Sequence, residues 1–374
     1  MGQQEYRPGG KVIGAAIMAV AASYVYFLIF AQLGFLKTLQ AATGATGGTV
    51  KPVLGLMGLA GMTGSVVAAW MFSVPRCRGV ITAGFALCAA AAGLSLMVTT
   101  MTAFYLAALC VGLGTGLTTV TLASMLRRAA GDRRLGVIIG LGTGLAYGFC
   151  NLPAVFGAAA NTQAMLAFFA ALAGMASGAM LAPKATTEKP EEFDYSKPGV
   201  MIWLLIFLAL VCLDSAAFYI IQHTPRLKEE TWSNAGQLAL NAVMHLVAAL
   251  LAGRALDRHW AGKTVFAGTV ALLVACWMIN AGSRTLAVGA MFYSAGVSAY
   301  SVALVFYPAR SQRPWLAALV YAVAGWGGSA IGIGLAENQH ELPRGPILVA
   351  GAVISLGLLA RRAVRRRSLV FAGI

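Results

Sequence analysis

The sequence predicts an all-α polytopic membrane protein, with twelve transmembrane helices in two pseudo-symmetric six-helix halves. Three observations carry that prediction. The chain of 374 residues is 59% hydrophobic and only 10% charged, whereas a soluble domain carries roughly 25% charged residues. Its apolar residues gather into runs of about 20, the length needed to cross a bilayer. Its basic residues fall mainly in every second gap between those runs. The net charge of +15 is therefore a feature of membrane topology, and no nucleic-acid partner is predicted.

The first apolar run, 12–34, follows a polar N-terminus and has no convincing cleavage site, so it reads as a retained span and not as a signal peptide. Further spans are predicted over 52–73, 79–99, 102–125, 135–157 and 163–182. The gap before 102 is short and uncharged. A polar, mixed-charge stretch with three prolines follows, PKATTEKPEEFDYSKP over 183–198, a composition that suits a linker. Six more spans are predicted over 199–222, 235–253, 264–282, 284–307, 314–336 and 345–360. The expected organisation is a first half over 1–182, a cytoplasmic linker over 183–198 and a second half over 199–374.

Orientation follows from the positive-inside rule. With the N-terminus in the cytoplasm, 21 Lys and Arg lie in cytoplasmic segments and 6 in outer ones. Both termini are thus expected in the cytoplasm of a cell whose inner membrane holds the protein. The tail RRAVRRR, Arg361 to Arg367, is expected to meet anionic lipid headgroups. The six cysteines form no CxxC pair, so neither a disulfide framework nor a metal site is indicated, and no cofactor is predicted. The segments GLGTG at 112–116 and 140–144 look like phosphate loops. They lie inside spans without a Lys-Ser/Thr ending and read as close helix packing.

Candidate site residues are polar groups inside spans. Asp214 stands about 21 Å into the seventh span at ~1.5 Å per residue, and an intramembrane carboxylate normally faces a cavity or a partner. It is open as a proton site, a counter-ion for a cationic substrate or metal ion, or a structural acid. Gln32 occupies a comparable place past the middle of the first span. Thr143, Tyr147 and Asn151 form a stripe at four-residue spacing, and Asn234, Gln237, Asn241 and His245 form another. Tyr147, Asn151, Gln237, Asn241 and His245 are expected to line a cavity. Ser294, Ser298 and Ser301 form a third stripe, read as interhelical hydrogen bonding. Asn151-Leu152-Pro153 is expected to kink the fifth span and free carbonyls. No Lys or Arg is placed inside a span, which favours a neutral or cationic substrate. No nucleophile–base or catalytic metal constellation appears, so an enzyme is not predicted.

One segment carries a family likeness. Gly253-Arg254-Ala255-Leu256-Asp257-Arg258, followed by Gly262 and Lys263, resembles the cytoplasmic signature of the major facilitator superfamily, with its second Gly two positions late. Twelve spans, a six-plus-six division and cytoplasmic termini also resemble that superfamily. The first-half counterpart, SVPRCRG over 73–79, keeps Arg76 and Arg78 but lacks the Asp. The glycine–proline pattern of drug/proton antiporters in the fifth span and the embedded Arg of the fourth are absent. The resemblance implies a secondary transporter working by alternating access. Small Gly253 would permit close contact, and Asp257 with Arg258 would serve conformational switching. The solute would be small and neutral or cationic, or a metal ion or complex, with symport of a proton. The alternative is a non-transporting relative that acts as an assembly factor or subunit of a larger membrane complex.

Overall fold

The computed structural model describes residues 9–181, 195–281, 283–337, 339, 341 and 344–372. Nearly all of the predicted linker lies outside the described residues, as do the side chains of the basic tail beyond Arg361. Among the described residues the chain is helical, with no strand. The main helices are α1 Gly10–Thr43, α2 Gly47–Met71, α3 Cys77–Ser95, α4 Met101–Ala130, α5 Leu135–Cys150 and α6 Ala160–Met180. They continue as α7 Lys197–His223, α8 Ala235–Asp257, α9 Ala261–Ala281, α10 Ser283–Ser311, α11 Pro314–Ala336 and α12 Arg344–Ala372. Ten of these are long and apolar enough to cross a membrane; α5 and the apolar part of α12, Ile347–Arg361, are shorter. Large apolar side chains such as Leu59, Trp70, Leu251, Trp277 and Leu348 stand exposed on the outside, the surface expected of a body solvated by lipid.

Helix ends follow local chemistry. The uncharged gap before α4 is a real boundary, because Thr100 adopts an extended conformation and its hydroxyl accepts a hydrogen bond from the Ala103 N–H. Helix α1 runs nine residues beyond the predicted end, to Thr43, where Gly44 takes a left-handed conformation (φ 68°) and donates its N–H to the Gln40 carbonyl. Lys37 therefore lies within the helix and not in a loop. Helix α5 ends early. Instead of a kink at Asn151-Leu152-Pro153, the chain leaves the helix after Cys150 and makes a short turn, Pro153–Phe156. Proline has no N–H to donate, and Leu152 before it is extended.

Two helices contain wide turns. Over Phe27–Gly34 in α1 and Val320–Gly327 in α11 the backbone bonds pass to i→i+5, as in Phe35 N–H to Phe30 O and Gly328 N–H to Val323 O. Such segments are rare and cluster at functional sites. These two meet, with the Phe27 ring edge-on to Trp326 at 6.4 Å.

Packing falls into two sets. Helix α4 packs against α2 and α3, and α6 against α1 and α3; α7 packs against α11 and α12, and α10 against α8 and α9. Between the sets, α5 lies along α8, α2 along α11, and α10 touches α4 and α5. Glycine makes the closest of these approaches. Gly112 and Gly116 turn to α2 while Gly114 turns to α3, and Gly140 and Gly144 turn to α8 while Gly142 turns to α1. A Cβ at Gly114 would stand 2.8 Å from the Gly84 carbonyl oxygen, nearer than real Cβ atoms come. The GLGTG segments are thus two-faced packing surfaces.

Candidate functional site

Asp214 sits on α7 with both carboxylate oxygens occupied. Tyr293 donates its hydroxyl to Oδ1 and Tyr300 donates to Oδ2. The two tyrosines are seven residues apart on α10, two helical turns, so both reach the same side. Each is buried. Hydrogen bonds from neutral hydroxyls to a carboxylate are charge-assisted and strong. They hold the group in place and leave its remaining lone pairs able to take a proton or a cation.

The next residue of α10 extends the cluster. Ser301 accepts the Tyr24 hydroxyl at its carbonyl (3.1 Å), and its Oγ lies 3.2 Å from the Tyr147 hydroxyl. Tyr147 stacks on His245 with ring centroids 4.6 Å apart. His245 Nδ1 lies 2.8 Å from Ser298 Oγ. Helix α10 thus presents Tyr293, Ser298, Tyr300 and Ser301 to α1, α5, α7 and α8 at once. Of the serine stripe, Ser298 and Ser301 bond to other helices, as the spacing predicts.

The other predicted residues fall differently. Gln237 Nε2 donates to Asn241 Oδ1 at 3.1 Å and to the Ala287 carbonyl at 3.2 Å, while Asn241 Nδ2 donates to the Thr231 carbonyl at 3.4 Å. These amides tie α8 to the α7–α8 connection and to α10. Asn151 turns Nδ2 back onto the Tyr147 carbonyl of its own helix, 2.9 Å away. That carbonyl is not freed for a ligand. Gln32 is half-buried in the wide-turn segment of α1, and no hydrogen bond joins it to another described residue. The aromatic wall escaped the sequence reading. Trp232 is buried against Phe156, Phe218 and Tyr293, with ring centroids between 5.4 and 6.2 Å. No polar spacing marked Trp232, because a lone aromatic in an acidic turn has no periodicity to read.

The signature residues lie at the basic-rich end of the bundle. Asp257 closes α8 and reaches across to α5, accepting the N–H groups of Gly136 (2.6 Å) and Val137 (2.9 Å). The first turn of a helix has N–H groups without internal partners and a positive dipole end, so a carboxylate is doubly favoured there. Gly253 and Gly136 have no side chains to keep the helices apart; a Cβ on Gly136 would stand 2.8 Å from Asp257 Oδ1. Arg258 does not join this cap; its guanidinium lies 5.9 Å from the Trp260 ring centroid. A second junction crosses from α4 to α10. Arg127 grips Asp132 with Nε and Nη2 at 3.0 and 2.9 Å and donates Nη1 to the Arg310 carbonyl at 3.0 Å. Arg310 pairs with the same carboxylate. At the opposite end, Lys51 of α2 pairs with Glu337, just past α11. Lys37 Nζ meets Gln163 Oε1 at 3.4 Å.

No family model and no curated protein matches this sequence. The fold has relatives among solved structures. The human organic anion transporter MFSD10 (TETRAN) is 12% identical at a TM-score of 0.66, the match covering 94% of this chain and 99% of that one. FucP, a major facilitator superfamily transporter in the outward conformation, is 13% identical at 0.68 with the same coverage. The nucleoside transporter NupG, solved as a point mutant, is 13% identical at 0.56, again over 94% and 99%. With helix packing and overall length both matched by these structures, the chain has the fold of major facilitator superfamily transporters.

Proposed function

We infer that the protein is a secondary transporter that moves a small neutral or cationic solute across the inner membrane by alternating access, coupled to protons through Asp214. The observation that supports this most is the carboxylate gripped by Tyr293 and Tyr300 beside the Tyr147–His245 stack. An ionisable group of this kind is costly inside a membrane and typically marks an ion or substrate path. The wide turns of α1 and α11 support a moving core, since they meet across the two helix sets. The sets, α1–α6 and α7–α12, are proposed as the two halves of a rocking pair joined by the 183–198 linker. The basic-rich end is proposed as cytoplasmic, where the Asp257 cap and the Arg127–Asp132–Arg310 junction hold it shut. Gly253 and Asp257 then serve the switch. The nucleoside and organic-anion chemistries belong to the structural relatives and do not choose this protein's solute.

The test is uptake into proteoliposomes with an imposed pH gradient, screened over neutral and cationic solutes. Solute accumulation driven by the gradient, lost in Asp214→Asn, is the expected result. Accumulation that keeps its full pH dependence in Asp214→Asn defeats the coupling role. No movement of any solute, together with copurification in a larger membrane complex, would replace the transporter with the assembly-factor alternative.

A further inference from the structure

A groove opens at the basic-rich end between α9 and α12, away from the Asp214 cluster. Its volume is about 490 Å³, and it is lined by His259, Trp260, Lys263 and Arg361 at one level and by Phe266, Leu358 and Leu359 at another. The lining is divided by chemistry. Cationic and aromatic groups stand at the helix ends, and exposed apolar side chains continue along the lipid-facing wall, with Phe266 and Leu359 both more than half exposed.

The cations are held in position. Lys263 Nζ lies 4.6 Å from the Trp260 ring centroid, and the Arg258 guanidinium approaches the same ring. Arg361 packs its guanidinium over Trp203 of α7 at 4.9 Å, and its tip comes close to Gly262 at the start of α9. His259 adopts a left-handed conformation (φ 62°) that turns the chain sharply from α8 into α9. Among the described residues, none that lines the groove is acidic.

We propose that this groove is a binding site for a phospholipid with an anionic headgroup. Its phosphate would lie among Lys263, Arg361 and His259, Trp260 would sit at headgroup depth, and one acyl chain would run along Phe266, Leu358 and Leu359. Charge complementarity and depth select this occupant. Basic pockets between spans at the cytoplasmic face bind anionic lipid headgroups, and tryptophan favours the interface. An acidic peptide from the aqueous side would meet only the charged rim and leave the apolar wall uncovered. The site adjoins the α8–α9 turn two residues after the Asp257 cap, so a bound headgroup would brace the turn from which that cap projects. The proposal needs only the membrane-embedded fold and its orientation, and it stands apart from the transport reading.

Native mass spectrometry of the purified full chain, titrated with phosphatidylglycerol and separately with phosphatidylcholine, tests it. Wild type should retain phosphatidylglycerol in preference. Lys263→Ala/Arg361→Ala should bind it about 30-fold more weakly, from the usual contribution of two cations at the membrane surface. The conservative Lys263→Arg/Arg361→Lys should retain it, and Lys11→Ala/Arg76→Ala, on the same end but outside the groove, should behave as wild type. Equal retention of the two lipids by wild type overturns the proposal without reference to any variant, so a folding failure of the alanine pair does not shield it. Equal loss in the Lys11/Arg76 control would show general surface charge instead. Displacement of bound lipid by millimolar inorganic phosphate would show a free-anion site and not a lipid site.

Discussion

Asp214 and Asp257 are both carboxylates satisfied by donors from another helix, yet their partners differ in kind. Two side-chain hydroxyls hold Asp214, and two backbone amides hold Asp257. Removing one hydroxyl leaves the other, so Tyr293→Phe and Tyr300→Phe should each fold and weaken proton-coupled uptake by about tenfold, the scale of one hydrogen bond to a charged group. Uptake assays on both single variants check this, with the double variant expected to resemble Asp214→Asn. Asp257→Ala strips a helix N-terminus of its cap and should cost roughly 2 kcal/mol or more in the closed arrangement of the basic end, read as a lower thermal midpoint and faster labelling of a cysteine placed at Val137. At this scale the sequence was half legible. Asp214 stood out because acid in an apolar run has no cheap explanation. Its tyrosine partners did not, because a tyrosine in a span reads as core until something acidic is brought near its hydroxyl. The amides Gln237 and Asn241 were legible as polar, but their partners were not, since an amide bonded to backbone carbonyls has the same spacing as one that faces a cavity.

At the scale of elements, glycine spacing was informative and helix length less so. The alternating faces of GLGTG place α4 between α2 and α3, and α5 between α8 and α1. Gly140→Val should therefore wedge α5 from α8 and destabilise the fold by about 1–3 kcal/mol, measured as a lower thermal midpoint. Gly55→Val, where a Cβ meets open space, should have little effect. The early end of α5 follows from Pro153 and was foreshadowed, but a kink and a break give the same sequence signal. The backbone bonds of the turn and Gln163, which donates to the carbonyls of Val155 and Phe156, hold the chain as a turn there. The overrun of α1 to Thr43 was hidden by Lys37. A cation near a span end reads as the start of a loop, although a long side chain can reach a polar partner while its backbone stays helical.

For the whole molecule, the all-helical membrane fold was legible because hydropathy and length are strong signals for a chain solvated by lipid. Which helices touch across the sets was not, except at the Gly253–Asp257 segment. The junctions at the two ends should differ in strength. Asp132→Ala leaves the buried Arg127 beside Arg310 without their shared anion, and it should cost roughly 3–5 kcal/mol in a thermal or denaturant melt. Lys51 and Glu337 are respectively 62% and 36% exposed, and an exposed ion pair contributes ~0–1 kcal/mol. Glu337→Lys should shift the same melt only slightly, and the swap Lys51→Glu/Glu337→Lys should restore it.

The exposed Lys51–Glu337 pair, set against the carboxylates of the basic-rich end, gives this inequality a kinetic meaning. At the basic-rich end the α8–α9 turn carries Asp257 to cap α5 and Asp132 joins Arg127 to Arg310, although the α2–α3 turn of that same end offers only Arg76 and Arg78; at the opposite end the exposed Lys51–Glu337 pair stands in their place. If the two ends open in turn, the molecule is not a symmetric rocker but a ratchet with one deep notch and one shallow one. Its cycle time would be set by escape from the deep notch. Each 1.4 kcal/mol of difference between the ends would lengthen the dwell there about tenfold, whatever solute is carried.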